Sequence, residues 1–473
     1  MRLLISSQNQ SCYPGRSAQR AVEGPAFPAM FALAVSVIFP SLVFAQAVAP
    51  TDLSTPAPTI AITGGKLLTI THGVIENGTI VLSGGKIAAV GAAGSVKIPA
   101  GATIVDAKGM TVYPGLIDSE TNLGLSEIEA DEASNDLVET SDEIFPNMHV
   151  YDAFHAETER IPVTRLNGIT NAIVAPASGD TLPGQDIFIQ LAGRDRDQMI
   201  LGKDVALAMN FSGEQRRRGQ GRKFPSTRMG LATQLRQTFI DAQAYAVSKT
   251  EYQTKLDKWQ KGDKKDAAPN PPKMDLKLEA LQPYLRGERP VVLAAFEGYE
   301  IEVAMQIAQE FHLKVILNHV THGQEILDKI ASYKVPVIVG PIYAFPSANE
   351  RYDSVFTLPA ELQKRGVKIA FSSAGDDSGN PGGFERNLPY AAGYAVAYGL
   401  PYDEALKAIT LNPAEMWGVA DKLGSLDEGK TANVVIANGD PLDVRTDVKQ
   451  IYIGGHAIPM ESRQTKLRDE YSK

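Results

Sequence analysis

The sequence predicts an α/β protein: a closed parallel (β/α)8 barrel of the TIM type, with a small composite β-sandwich formed by the N- and C-terminal segments. Residues 59–112 have strand-and-turn texture, residues 113–423 alternate short apolar strands with helical stretches, and strand texture returns over 424–460. Strands followed by helices over roughly 300 residues suggest a closed parallel barrel. β material on both flanks implies that the chain leaves one sandwich, builds the barrel and returns. A chain of 473 residues can bury one large core and one smaller one. The alternative is an open doubly wound sheet, but no glycine-rich phosphate turn follows an early strand.

Within the first segment, residues 59–71 are β-branched and broken by Gly64-Gly65. Thr79-Ile80-Val81-Leu82-Ser83 and Lys86-Ile87-Ala88-Ala89-Val90 flank Gly84-Gly85, which reads as a hairpin. Residues 102–112 supply one more strand. In the central region the strand candidates are 169–175, 205–209, 291–296, 315–317, 335–339 and 367–371, with helical segments such as 300–311 between the later ones. Residues 212–289 form a charged insertion containing Arg216-Arg217-Arg218, an exposed helix over 231–259 and a turn with Pro269, Pro271 and Pro272. Such a helix is ordinarily a solvated face, and otherwise a surface for a partner. Residues 433–437 and 451–453 are the closing strands, and residues 461–473 form a polar tail.

Residues 1–46 read as a secretory signal. Arg2, Arg16 and Arg20 precede an apolar run that ends in the small-residue pattern Phe44-Ala45-Gln46-Ala47. Two prolines inside the run favour cleavage over a membrane anchor. An Ala/Pro/Thr-rich linker over 47–58 follows, and no later stretch is long and apolar enough to span a membrane. The single cysteine, Cys12, falls in the signal, so no disulfide or thiolate metal site is available within the chain. The formal charge of −9 argues against a nucleic-acid or anionic-membrane surface. The expectation is an exported protein, periplasmic in a host with two membranes, acting on a small molecule.

Three segments carry a family resemblance. Gly109-Met110-Thr111-Val112-Tyr113-Pro114-Gly115-Leu116-Ile117-Asp118 looks like the entry to a first barrel strand, and Leu166-Asn167-Gly168-Ile169-Thr170 like a second-strand step. Ala408-Ile409-Thr410-Leu411-Asn412-Pro413-Ala414-Glu415 and the stretch from Leu423 to Asn433 look like a C-terminal signature. Together they resemble the amidohydrolase superfamily, in particular its imidazolonepropionase-like branch. The resemblance implies hydrolysis of carbon–nitrogen bonds in non-peptide amides, cyclic amides or dipeptide-like substrates. It also implies a divalent metal, usually zinc, held by His-x-His after the first strand, a histidine on each of the fifth and sixth strands, and an aspartate on the eighth. Such a metal supplies hydroxide at neutral pH, and the last-strand carboxylate shuttles its proton.

Here the chain departs from that pattern. It reads Asp118-Ser119-Glu120-Thr121-Asn122 where Asp-x-His-x-His is expected, so both imidazoles are missing. Ala294 and Phe296 stand at the fifth-strand positions, His319 keeps the sixth, and Ala374 replaces the last aspartate. Glu120 and His319 are the remaining metal-ligand candidates. Asp376 and Asp377, two and three residues beyond Ala374, are the catalytic candidates as a shifted carboxylate. Asn122, Asn318, His322 and Arg386 are the substrate-binding candidates. His322 opens a helix on this reading, and His149 and His155 lie in an acidic stretch that could lean over the barrel mouth. Two readings follow: a hydrolase with a reorganised metal site, or a catalytically silent relative that binds a small ligand or pairs, as a homo- or hetero-oligomer, with a related barrel.

Overall fold

The computed structural model describes residues 50–128, 131–212, 224–264, 267–344, 346, 350–374 and 384–472. The signal segment, Cys12, and both Asp376 and Asp377 lie outside the described residues. Among the described residues no helix is long and apolar enough to cross a membrane.

Strands from both ends of the chain share one sheet. β1 (Ile60–Leu68), β2 (Val74–Ser83), β3 (Lys86–Ala92), β4 (Thr103–Asp106) and β5 (Thr111–Pro114) come from the N-terminal side. The order is β18-β17-β16-β5-β1-β2-β3, with β4 also pairing β1, where β16 (Val434–Ala437), β17 (Val448–Ile453) and β18 (His456–Ile458) come from the C-terminal side. The β2–β3 turn uses Gly84 and Gly85 at φ +56 and +77, a left-handed pair that matches the twist of a two-residue hairpin. Ile60, Ile62, Leu67, Ile80, Leu82, Val434 and Ile436 form its core.

Between β5 and β16 the chain builds two further sheets. One holds β6 (Leu116–Thr121), β7 (Ile169–Val174), β9 (Ile187–Gln190) and β10 (Ile200–Gly202) in the order β10-β9-β7-β6. The other runs β15-β14-β13-β12-β11-β8, with β8 (Gly184–Gln185), β11 (Leu207–Asn210), β12 (Val291–Glu297), β13 (Val315–His322), β14 (Val337–Val339) and β15 (Ile369–Phe371). β11 to β15 are parallel, and β6 is parallel to β7. Helices Gly298–Glu310 and Ser354–Lys364 return the chain between parallel neighbours. Every residue of β6 and β7 is buried, as in strands covered on both faces.

An all-parallel closed ladder is not what these strands form. β9 runs antiparallel to β7, and β8 antiparallel to β11. The reason is the connection. Residues 175–186 contain no helix, and a parallel crossover needs a dozen or more residues, usually with one. Individual backbone bonds nonetheless join the two sheets. Ser373 N and Ala374 N donate to Glu120 O at 3.3 and 3.2 Å, and Asp186 N donates to Ala206 O at 3.0 Å. The apolar ends Ile117, Ile173 and Phe188 pack on Ala414 and Trp417, and Val292, Ile316 and Ile338 pack on Met416 and Trp417.

The charged insertion contains a helix longer than its sequence pattern suggested, Arg228–Lys261, capped by Thr227 Oγ1 accepting from Gly230 N at 3.0 Å. Leu231, Leu235, Phe239 and Ala242 are buried along its first half, and its second half is mostly exposed. His322 ends β13 rather than opening a helix, because the strand continues past Leu317 against β12.

Gly115 is where the chain passes from the shared sheet into β6. Its N–H donates to Asn433 O at 2.9 Å, and a Cβ there would meet the Thr170 side chain, Cβ included at 2.8 Å. Thr170 is β-branched and cannot swing aside freely. Gly115→Ala is expected to destabilise the protein by about 1–3 kcal/mol through overpacking; a urea midpoint equal to wild type would refute this.

Candidate active site

The C-terminal ends of β6, β13 and β15 bring buried polar groups together. Asp118, Ser119, Glu120, Thr121 and Asn122 are all buried, in a strand whose apolar neighbours cannot satisfy them. Burying polar groups costs about 1–3 kcal/mol each unless they are paired. Asp118 and Glu120 find partners at the ends of β13 and β15.

Asn318 is the hub. Its Nδ2 donates to Glu120 Oε2 through a short hydrogen bond and lies 3.5 Å from His319 Nε2. Its Oδ1 accepts from His319 N at 2.8 Å, which orients the amide. His319 Nδ1 faces the Gly340 carbonyl at 2.7 Å, and a carbonyl only accepts, so Nδ1 carries the hydrogen and Nε2 the lone pair. Nε2 stands 3.9 Å from Glu120 Oε2. The Phe296 ring stacks on the imidazole at 4.6 Å and 10°. His319 and Val320 adopt φ +70 and +49, consecutive left-handed residues that side chains rarely accept and that hold the imidazole in place. Gly340 is needed opposite, since a Cβ there would press on Ser372 O at 2.6 Å.

β15 closes the cluster from the other side. Ser372 Oγ donates to Glu120 O at 3.1 Å, and Ser373 N donates to Asp118 Oδ1 at 3.2 Å. Ser373 Oγ also bonds Asp118 Oδ2. Burial pushes the Asp118 carboxyl well above the usual range, against the hydrogen bonds from Ser373. Asp186, between β8 and β9, is fully buried and neither side-chain oxygen has a hydrogen-bond partner. Its carboxyl is raised well above the usual range by burial first and by the charge of Glu120 second. Glu385 accepts from Thr121 Oγ1 at 2.8 Å and is likewise raised by burial.

Of the residues singled out from sequence, the structure assembles Glu120, Asn318 and His319. Asn122 is buried beside them but donates to Ala175 O at 2.8 Å. His322 pairs through Nδ1 with Glu350 Oε2 at 2.9 Å. Arg386 is exposed, and its backbone carbonyl accepts from Asn167 Nδ2. His149 pairs with Asp204 Oδ1 at 2.7 Å, and His155 lies 3.9 Å from Asp136. Sequence reasoning passed over Asp186, Ser372 and Ser373, and read Phe296 only as a missing ligand. The available signal for Asp186 was a carboxylate directly ahead of the apolar run Ile187-Phe188-Ile189.

The donor set does not fit a catalytic zinc, which takes three protein ligands and an open position. Glu120 and His319 contribute one oxygen and one nitrogen, and both face amide hydrogens of Asn318. The side chains of Ala294, Phe296 and Ala374 carry no donor atom for a metal, and Asn122 turns its amide to Ala175 O. Among the described residues no three His, Cys, Asp or Glu side chains gather as a metal site.

The fold and its ends match known proteins. A solved amidohydrolase from Thermotoga maritima MSB8 superposes with a TM-score of 0.75 at 28% identity, over 84% of this chain and 99% of that one. The amidohydrolase family matches residues 285–458. The chain is similar to the amidohydrolase superfamily, in sequence over residues 285–458 and in fold over most of its length. That family is one of hydrolases, generally metal-dependent. Amidohydrolase tasK of Hapsidospora irregularis is 26% identical over 377 residues, covering 76% of this chain and 38% of the relative. An imidazolonepropionase from Thermoplasma volcanium is 33% identical over 95 residues, covering 19% of this chain and 24% of the relative. The chain thus spans less than half the length of these curated relatives.

Two outcomes test this geometry. Asn318→Asp sets a carboxylate against Glu120 in place of an amide donor; urea unfolding at pH 7.5 is expected to show a loss of about 1–3 kcal/mol, smaller at pH 5, and an unchanged midpoint would contradict the wiring. For Asp186, a raised folded pKa means that the folded state keeps a proton the unfolded state has lost. Stability therefore falls as pH rises above the ordinary aspartate range and through the raised value. Melting temperatures across that window are expected to fall less steeply in Asp186→Asn than in wild type; parallel curves would show that Asp186 does not titrate this way.

Proposed function

We propose that this chain is an exported amidohydrolase-superfamily protein that binds small molecules bearing a carbon–nitrogen amide bond, cyclic or dipeptide-like, without holding a catalytic metal. The supporting observation is Asn318, whose amide hydrogens face both Glu120 and His319 Nε2 while its oxygen is tied to His319 N. A cation there would have to displace that amide from a backbone anchor. On this reading the two mixed sheets are arcs of one (β/α)8 barrel, and ligand enters at the strand ends, as in other barrels. The mostly exposed second half of helix Arg228–Lys261 is the surface we assign to a homo- or hetero-oligomeric contact with a related barrel.

A second reading, turnover of the same bond class with a rebuilt metal site, is favoured by one feature. Ser373 and Ala374 bond to Glu120 O, which brings the start of the stretch carrying Asp376 and Asp377 to the same strand end. On that reading Glu120, His319 and one of these aspartates hold the metal or its water.

Metal content of the mature protein, purified without chelator or histidine tag, separates the two. Far below one ion per chain, with no hydrolysis of cyclic amides or dipeptides and saturable binding of at least one of them, is the expected result. One zinc, manganese or iron per chain with turnover abolished in His319→Ala would replace the first reading with the second.

A further inference from the structure

A second cavity, of about 280 Å³, lies between helix Arg160–Arg165 and the segment that follows β9, and it shares no lining residue with the Glu120, Asn318 and His319 cluster. Ile161, Leu191 and Met199 give it an apolar lining, each almost fully buried. Arg165, at 5% exposure, also lines it. Its NH1 donates to Leu191 O at 3.3 Å, and its Nε has no hydrogen-bond partner. A guanidinium sealed from water without an acid is costly, and burial alone pulls its pKa down to about 10. Glu159 lines the same cavity, and its Oε2 is buried with no partner either. The two form no ion pair with each other or with other described residues. The charged pair at the rim, Arg194 and Asp195, is self-satisfied at 3.1 Å.

We propose that this cavity is a second binding site, for a zwitterion of the α-amino-acid class, with Arg165 taking the carboxylate and Glu159 the ammonium. A planar guanidinium suits a carboxylate, which accepts two parallel N–H bonds. Two opposite charges that lack partners, on one small apolar cavity, call for a ligand carrying both signs. The volume sits just under the range of drug-sized sites, which suits a small amino acid. The inference does not depend on what the strand-end cluster binds.

Calorimetric titration of the full mature chain with L-alanine, acetate and N-acetyl-L-alanine tests it. Expected is saturable L-alanine binding with Kd below about 1 mM, weakened at least tenfold by Arg165→Gln and by Glu159→Gln, and retained in the exposed Lys255→Gln. N-acetyl-L-alanine, which lacks the ammonium, is expected to bind weakly and to be indifferent to Glu159→Gln. If Arg165→Gln does not fold, the only partly buried Glu159→Gln and the alanine-to-acetylalanine ratio still decide. No alanine binding, acetate binding equal to alanine, or full alanine binding in a folded Glu159→Gln would each overturn the proposal.

Discussion

β16 lies antiparallel against β5, pairing Val434 with Pro114 and Ala437 with Thr111, and this ladder ties the ends of the entire excursion between them. Gly115 leaves one side of that ladder and Asn433 enters the other, and their backbone bond seals the junction. The entropy of closing so long a loop grows slowly, by only about 0.6 kcal/mol per doubling of length. Distance along the chain is therefore no obstacle to the pairing. Asn433 reinforces the junction by donating through Nδ2 to Asn171 Oδ1 at 2.8 Å, one step inside β7. The two arcs of strands hang from this junction, which sets where their C-terminal ends meet.

What meets there is governed by the cost of burying polar atoms. β6 and the residue after it carry Asp118 to Asn122 into the interior, and the ends of β13 and β15 supply donors to two of them. Asn318 and Ser373 answer the carboxyls of Glu120 and Asp118, and Ser372 answers the Glu120 carbonyl. The left-handed His319 and Val320 are part of the same solution, since they present the His319 N–H to the Asn318 oxygen. Asp186 stands outside it, without partners, and burial keeps its proton on. A buried polar network is high-stakes, because loss of one donor leaves a buried group unanswered.

The scaffold and the site point in different directions. On the proposed reading, this chain sets an amide, a phenyl ring and a methyl group where the family holds a metal hydroxide. Function resides in such a site rather than in the fold that carries it.

The alternation of apolar strands and helices, the flanking β segments and the family's end motifs were legible in the sequence, because local periodicity and turn chemistry are written residue by residue. So was the polar run Asp118-Ser119-Glu120-Thr121-Asn122 at the end of the first strand, which the structure buries. The antiparallel β9 was not, since it goes with a connection that holds no helix rather than with the strand's own composition. Nor were the partners of Glu120: residues 318 and 372 are neighbours of residue 120 only after the strands pack. The sequence alone determined which polar groups the first strand buries. Only the tertiary structure decided which ones answer them, because a hydrogen bond depends on distance and direction between groups that lie far apart in the chain.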